Sequence, residues 1–283
     1  MTPPRLGIGV IGAGRVGAVL GAALRAEGHA ITGAYAVSDA SRERAALLLP
    51  GVPLLDVPAL VERSEMLLLA VPDDQLAPLA AGIAATGMMP GGQLVVHTSG
   101  HYGTEVLAPL AQACSATLAI HPAMTFTGTR TDIGRLVGCP MGITAPPELL
   151  PIAAALVVEL GGEATVLAEG DRSLYHASLA HAANHLVVLV DQAREALTRL
   201  GIEDPGAYLR PLLEAALDES LRHGRKALTG PVVRGDAGTV ASHLEALDDL
   251  DVTGVPGEPG DTSATYRALA KAALSRARLP EEP

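Results

Sequence analysis

The chain has 283 residues, 48% of them hydrophobic and 18% charged, with a formal net charge of -11; that length suits two domains of ordinary size, and the absence of a basic stripe argues against nucleic acid as a partner. Five Tyr, one Phe and no Trp leave a core of Ala, Leu and Val, packed mostly helix against sheet. Cys114 and Cys139 are too few for a disulfide framework and lack a zinc-site spacing, no signal-peptide pattern precedes Arg5, and the longest apolar stretch in a helix, Leu186 to Val190, is far short of a membrane span, so a soluble cytoplasmic protein away from membranes is expected.

The first predicted strand is Leu6 to Ile11. It runs directly into Gly12-Ala13-Gly14-Arg15-Val16-Gly17, and a helical run from Val16 to Glu27 follows, closed by Gly28. A strand, then G-x-G-x-x-G, then a helix lets the backbone turn tightly, approach a pyrophosphate closely, and aim free amides and a positive helix end at it. The turn reads as a dinucleotide site. The second strand, Ala30 to Val37, leads into Ser38-Asp39-Ala40-Ser41-Arg42. No carboxylate stands at the strand tip itself, where one would bind ribose hydroxyls, whereas Ser38, Ser41 and Arg42 offer two hydroxyls and a guanidinium for a 2′-phosphate. NADP is therefore expected rather than NAD, with Asp39 as the counter-argument unless it caps the next helix.

Further strands are expected near Val52 to Leu55, at Met66 to Val71, Gln93 to His97 and Thr117 to Ile120, and as a last pair near Pro140 to Ala145 and Ala164 to Leu167. Helices such as Ser41 to Leu49, Gln75 to Ala85 and Thr104 to Cys114 intervene. This alternation predicts an α/β fold, a doubly wound parallel sheet of the Rossmann type, over residues 1–168. Beyond Glu169-Gly170 the pattern turns all-α, predicting a helical domain over 169–283. It opens with a helix from Arg172 to Leu200, about 45 Å long at 1.5 Å per residue, and continues with a helix from Pro205 to Gly224, one from Ala237 to Leu247, a Gly/Pro-rich loop from Val252 to Gly260, a helix from Thr262 to Arg278 and a frayed tail.

In a doubly wound sheet the reactive end of the cofactor lies beyond the carboxyl ends of the later strands. Those tips are Ala70-Val71-Pro72-Asp73, His97-Thr98-Ser99-Gly100-His101 and His121-Pro122. Val71, Pro72 and Asp73 are candidates for cofactor contact, with helix capping as the ordinary role of Asp73; Ser99 and His121 follow strands that border the cofactor. On the long helix His181 and Asn184 lie on a face lined with small residues, where they either pair with each other and the backbone or face a ligand cavity. No third ligand accompanies His181 and His185 at a metal-site spacing, so no metal is expected.

Together the glycine turn, Ala70-Val71-Pro72-Asp73, His97-Thr98-Ser99-Gly100, His121-Pro122, Tyr175-His176-Ala177 with Asn184, and Thr229-Gly230-Pro231 with Arg234-Gly235-Asp236 resemble the two-domain family that joins a Rossmann-like domain to a helical domain of unknown function. That family is similar in layout to ketopantoate reductase, pyrroline-5-carboxylate reductase and the β-hydroxyacid dehydrogenases. The resemblance implies a nicotinamide-dependent reductase with its active site between the domains. It also marks a departure: where the relatives carry Lys-x-x-x-Asn on this helix, aligning Asn184 with the Asn puts Ala180 at the lysine. Hydride delivery to a carbonyl leaves an alkoxide that needs a proton, and His titrates nearest neutral pH, so His181 is the first candidate donor and His121 the second. Under this reading Asn184 orients the carbonyl, Ser99 and His97 contact the substrate or the nicotinamide carboxamide, and Arg234 pairs with a substrate carboxylate unless its Arg-Gly-Asp turn merely links two helices. The leading expectation is NADPH-dependent reduction of a small, ketopantoate-like 2-oxo acid; the alternatives are a cyclic imine substrate or a sensor that binds NADP(H) without turnover. Ala-rich faces at Leu212 to Leu221 and Ala264 to Ala277 point to a homodimer.

Overall fold

A computed structural model of the chain describes residues 5–113, 115–252 and 260–278; Cys114, most of the loop from Val252 to Gly260 and the tail from Pro280 lie outside the described residues. Elements follow in the order β1 (Gly7–Ile11), α1 (Arg15–Ala26), β2 (Ala30–Tyr35), α2 (Asp39–Leu48), α3 (Val57–Arg63), β3 (Met66–Leu69), α4 (Asp73–Ala85), β4 (Leu94–His97), α5 (Ala108–Gln112), β5 (Ala116–Pro122), α6 (Thr131–Arg135), β6 (Pro140–Thr144), α7 (Leu150–Glu159), β7 (Glu163–Val166), α8 (Arg172–Arg199), α9 (Pro205–His223), α10 (Pro231–Arg234), α11 (Ala237–Val252) and α12 (Thr262–Ala277). The chain divides into two compact units, Met1–Ala182 and Ala183–Pro283. The division falls inside α8, later than the boundary after residue 168 expected from the change of pattern.

Among the described residues the first unit holds a seven-stranded sheet in the order β2-β1-β3-β4-β5-β6-β7. The chain reverses direction across the sheet between β1 and β3, which places a crevice beyond the carboxyl ends of those two strands. Strand residues alternate between two buried faces. Met66 and Leu68 pack with Val10, Leu20, Leu24 and Leu156 on one side, while Leu67 and Leu69 pack with Leu60, Leu76, Ile83 and Leu107 on the other. A sheet covered on both faces needs near-continuous apolar strands, which is why Met66-Leu67-Leu68-Leu69 carries no polar residue.

Two expectations about the sheet are corrected. Val52 to Leu55 forms no strand but a single bridge, Ala34 to Leu54; Pro53 lends its carbonyl to Ala34 N–H but has no N–H of its own with which to extend a ladder. And β6 runs antiparallel to β5, with His121 opposite Gly142, because the connection through the five-residue α6 returns the chain at the end where it left. The expected helix from Thr104 begins as a 3₁₀ turn at Glu105–Leu107 before α5, with Pro109 in the first turn of α5, where its missing N–H costs nothing.

Among the described residues the second unit contains the rest of α8 and four further α-helices. Asp204 caps α9 by accepting from Ala207 N–H at 2.9 Å. Asp251 accepts from the amides of Thr262 and Ser263 at the start of α12, at 3.2 and 2.9 Å, and Gln192 of α8 donates to Asp261 at 2.8 Å. No helix among the described residues is long and apolar enough to cross a membrane.

Candidate functional site

The glycine turn is shaped by close backbone approaches. Gly12 has φ +97° and a Cβ there would meet the Ala70 carbonyl, while a Cβ on Gly17 would run into the Gly12 carbonyl oxygen and lie 2.9 Å from Ala70 Cβ. At Gly14, by contrast, a Cβ would meet nothing within 4 Å, so this backbone faces open space. Gly12 and Ala13 donate their amides to Tyr35 O at 3.1 and 2.9 Å, which fastens the turn to β2 and removes those two from phosphate binding. The amides left for a ligand are those opening α1, whose amino terminus at Gly14 has no side-chain cap. This is what a diphosphate requires: an uncapped first turn, a positive dipole end and room for the anion. Arg15 and Val16 begin this helix as expected, and the geometry fits a dinucleotide.

The residues expected at the 2′-phosphate are otherwise engaged. Ser38 caps α2, accepting from Ser41 N–H at 3.2 Å, and the Ser41 hydroxyl donates to Ser38 O at 2.7 Å, so both hydroxyls are engaged in closing the helix start. Arg42 pairs with Asp39 at 3.4 Å on the exposed helix face. Two other cations gather nearby: a Cβ added to Gly128, at φ +79°, would touch the guanidinium stem of Arg44 and come within 3.0 Å of Arg15 Cγ. Gly128 belongs to the β5–α6 loop, which the buried Asp132 carboxylate braces through the amides of Thr127 and Gly128, both at 2.7 Å.

A second cluster stands at the tips of β4 and β5. His97 is wholly buried. Its Nε2 lies 2.7 Å from Gly103 O and its Nδ1 accepts from Ser99 N–H at 3.2 Å. A carbonyl only accepts, so the proton is on Nε2 and both nitrogens are spent on backbone. Burial, and then the charge of Arg172, lower its pKa to about 4. The expected substrate contact is therefore corrected: His97 is a neutral brace for the loop that carries Ser99. The Ser99 hydroxyl in turn accepts from the amides of His101 and Tyr102, both at 3.1 Å. Glu169 holds the other side of this loop, accepting from Thr104 N–H at 2.8 Å.

His121 is half-buried, its Nδ1 2.9 Å from Tyr175 OH. Burial lowers its pKa to about 4, with His176 and Arg172 acting in the same direction and Asp73 against it, so the ring is neutral near pH 7. Two arrangements satisfy the contact: the tyrosine donates to Nδ1 and Nε2 carries the N–H, or Nδ1 donates and the phenol proton is free. Burial raises the Tyr175 pKa, opposed by the Arg172 charge. Gly100 lets the rings close in; a Cβ there would lie 2.7 Å from His176 Cδ2 and 2.9 Å from His121 Nε2. His121 and His176 have ring centroids 6.0 Å apart, and His101 and His176 6.3 Å, yet no three His, Cys, Asp or Glu among the described residues form a metal site.

Behind this cluster is Arg172, 1% exposed. Its Nε donates to Thr144 Oγ1 at 2.8 Å, Nη1 to Ser99 O at 3.3 Å, and Nη2 to Ala119 O and Gly142 O at 3.2 and 3.1 Å. Arg172, Tyr175 and His176 share one face by their i, i+3, i+4 spacing, and that spacing was the available sequence signal for a group that sequence reasoning left without a role. At about 100° per residue, His181 projects from the opposite side of α8. Both His181 and Asn184 are exposed, and the structure does not bring His181 into the cluster as its first-choice donor. Asp73 opens α4, which has no side-chain cap, and its charge acts on both His97 and His121. Val71 and Pro72 form the turn before it, Val71 Cγ1 standing 3.2 Å from where a Gly12 Cβ would be. Arg234 is exposed at the end of α10, before Gly235 at φ +73° and Asp236, which caps α11 by accepting from Thr239 N–H at 3.0 Å. A cavity of about 850 Å³ opens at the other, amino ends of the strands, among Leu6, Gln93, Leu94 and Ile152, and neither the glycine turn nor the histidine cluster lines it.

Residues 1–122 match the Rossmann-like domain family and residues 139–273 match DUF2520, a domain of unknown function. No curated protein matches the chain. Among solved structures, a proposed NADP oxidoreductase from Bacteroides fragilis superposes with TM-score 0.80 at 20% identity, over 96% of this chain and 98% of its own. An imine reductase from Myxococcus stipitatus in complex with NADP⁺ gives 0.65 at 18%, over 96% and 93%, and a pyrroline-5-carboxylate reductase from Coxiella burnetii 0.52 at 16%, over 97% and 98%. At such identities the likeness establishes the fold.

Proposed function

Because the chain belongs to the two-domain family that joins a Rossmann-like domain to a DUF2520 domain, we propose that it is an NADPH-dependent reductase of a small 2-oxo acid, with Tyr175 as the proton donor and His121 as its partner. The single observation that carries this reading is the 2.9 Å contact between Tyr175 OH and His121 Nδ1 at the strand tips that follow the dinucleotide turn in the sheet. A bound nicotinamide nucleotide would supply the hydride. The amides opening α1 would hold its diphosphate, and Arg15 and Arg44 would face a 2′-phosphate in place of Ser38, Ser41 and Arg42. As the carbonyl oxygen gains charge, the phenol O–H of Tyr175 would pass its proton to it; the phenolate left behind is stabilised by the Arg172 charge and takes the Nδ1 proton of His121, which regains one at Nε2. This step uses the arrangement in which Nδ1 carries the N–H of a ring kept neutral by a pKa of about 4 and donates to the phenol oxygen, leaving the O–H free for the substrate. Ser99, 8% exposed, keeps its hydroxyl proton available for a substrate oxygen.

A second reading, reduction of a cyclic imine, is favoured by two of the structural neighbours, an imine reductase and a pyrroline-5-carboxylate reductase. The two readings separate by substrate charge. A buried cation behind the site favours an anionic oxygen over an iminium nitrogen. The test is calorimetry with NADPH and NADH, followed by loss of NADPH absorbance against a panel of 2-oxo acids and cyclic imines. Turnover confined to the imines would replace the carbonyl reading; tight NADPH binding with no turnover on any of them would make the chain a sensor. Leu212 and Leu221 on α9, 67% and 78% exposed, support a homodimer, to be read by sedimentation.

A further inference from the structure

We propose that Arg172 is the positioning residue of this site: its guanidinium ties the loop after β4 to the middle of β5 and to β6 and sets a permanent positive charge beside the His121–Tyr175 pair. The inference deepens the reductase reading and rests on it for the role of the pair, but it is testable without turnover. All four acceptors around the guanidinium are neutral, three carbonyl oxygens and one hydroxyl. Among the described residues no carboxylate lies within ion-pair distance of it. The Glu169 carboxylate offsets this charge only from beyond ion-pair distance, so burying it is costly, and a neutral side chain would fasten the strands at lower cost. The charge itself therefore needs a purpose.

The geometry supplies one. The guanidinium reaches the carbonyl of Gly142, the residue paired with His121 across β5 and β6, and the carbonyl of Ser99, next to the Gly100 backbone against which His121 packs. The groups acting on His121 are Tyr175, His176 and Arg172 from α8, His97 from β4 and Asp73 from α4. Arg172 is the fixed cation among them. It disfavours an imidazolium, so that His121 stays neutral, and it favours a phenolate on Tyr175. One charge thus biases both partners toward donation of the tyrosine proton.

The experiment follows the His121 ring by NMR through a pH titration of the full chain, without cofactor or substrate. Arg172→Met removes the charge and the clamp, and His121 should then titrate about one pH unit higher, from about 4 toward 6.5. Arg172→Lys keeps the charge but loses the fork geometry; His121 should titrate within about half a unit of the parent while the melting temperature falls. The acid limb of the kcat profile should move with the Met variant and be restored by Lys. A folded Met variant whose His121 titrates as in the parent overturns the proposal, as does a Lys variant whose His121 rises as far as in Met. Should the Met variant fail to fold, the Lys variant decides alone. Failure of the reductase reading shows instead as absent turnover while His121 still rises in the Met variant and stays near the parent in the Lys variant.

Discussion

The dinucleotide turn and the cluster at the tips of β4 and β5 are built by opposite means. The turn is local: one hexapeptide between β1 and α1, shaped by glycines that a side chain would push apart from Ala70 and from each other. The cluster is assembled from distant segments, with Tyr175 and His121 separated by 54 residues and Arg172 and Ser99 by 73. A local device leaves its pattern in the sequence. A long-range one appears only when the strands have been laid side by side.

The largest expected effect breaks the local device. Gly17→Val drives a branched side chain into the Gly12 carbonyl, and NADPH binding should weaken by more than about 100-fold in calorimetry, with a lower melting temperature, since the turn can no longer close. Binding within a few-fold of the parent would mean the turn is not the diphosphate site. Next, Tyr175→Phe removes the proposed proton and should lower kcat by about 10²- to 10⁴-fold with cofactor affinity unchanged. In the same assay His181→Ala should change kcat by less than about threefold, as a residue outside the cluster. If His181→Ala is the more damaging of the two, His181 is the donor and the cluster is structural.

A third outcome concerns pH and stability. His97 and His121 have folded pKa values near 4 against an ordinary 6.5, because burial penalises their charged forms. Between those values the unfolded chain binds protons that the folded chain refuses, so acidification favours unfolding. Stability should fall by roughly 1 kcal/mol per pH unit for each ring as pH drops from about 6.5 to 4, with no loss from this source above 6.5. Urea midpoints at neutral pH and near pH 5 measure it; equal midpoints would contradict neutral buried rings. The smallest effects compare two arginines. Arg44→Ala should weaken NADPH by about tenfold and leave NADH unaffected, as loss of one charge-assisted contact implies. Arg42→Ala, paired with Asp39 on an exposed face, should change either by less than about twofold.

The strands and the helix starts were legible because apolar runs, glycines and caps are local signals, as with Met66–Leu69, Gly12 and Asp204. Val52 to Leu55 failed because its composition suits a strand while Pro53 denies it a ladder. Ser38, Ser41 and Arg42 were read as ligands for a phosphate on residue type alone; their own helix uses the two hydroxyls first, a competition between capping and binding that composition does not reveal. His97 carried the chemistry of a substrate contact, and burial assigned it to backbone. Arg172 looked like one more charged residue at a helix start; its spacing to Tyr175 and His176 marks a shared helix face but not that the guanidinium is wholly buried.

By itself, then, the order of residues determined the alternation of strands and helices, the all-helical second half and the site of the glycine turn, because each depends on groups within a few residues of one another. Only the tertiary structure decided which polar side chains meet. Sheet order brought His121 opposite Gly142, α8 set Arg172 and Tyr175 against those strand tips, and burial then chose which groups stay neutral, all of them consequences of distance and dielectric that exist only once the chain has folded.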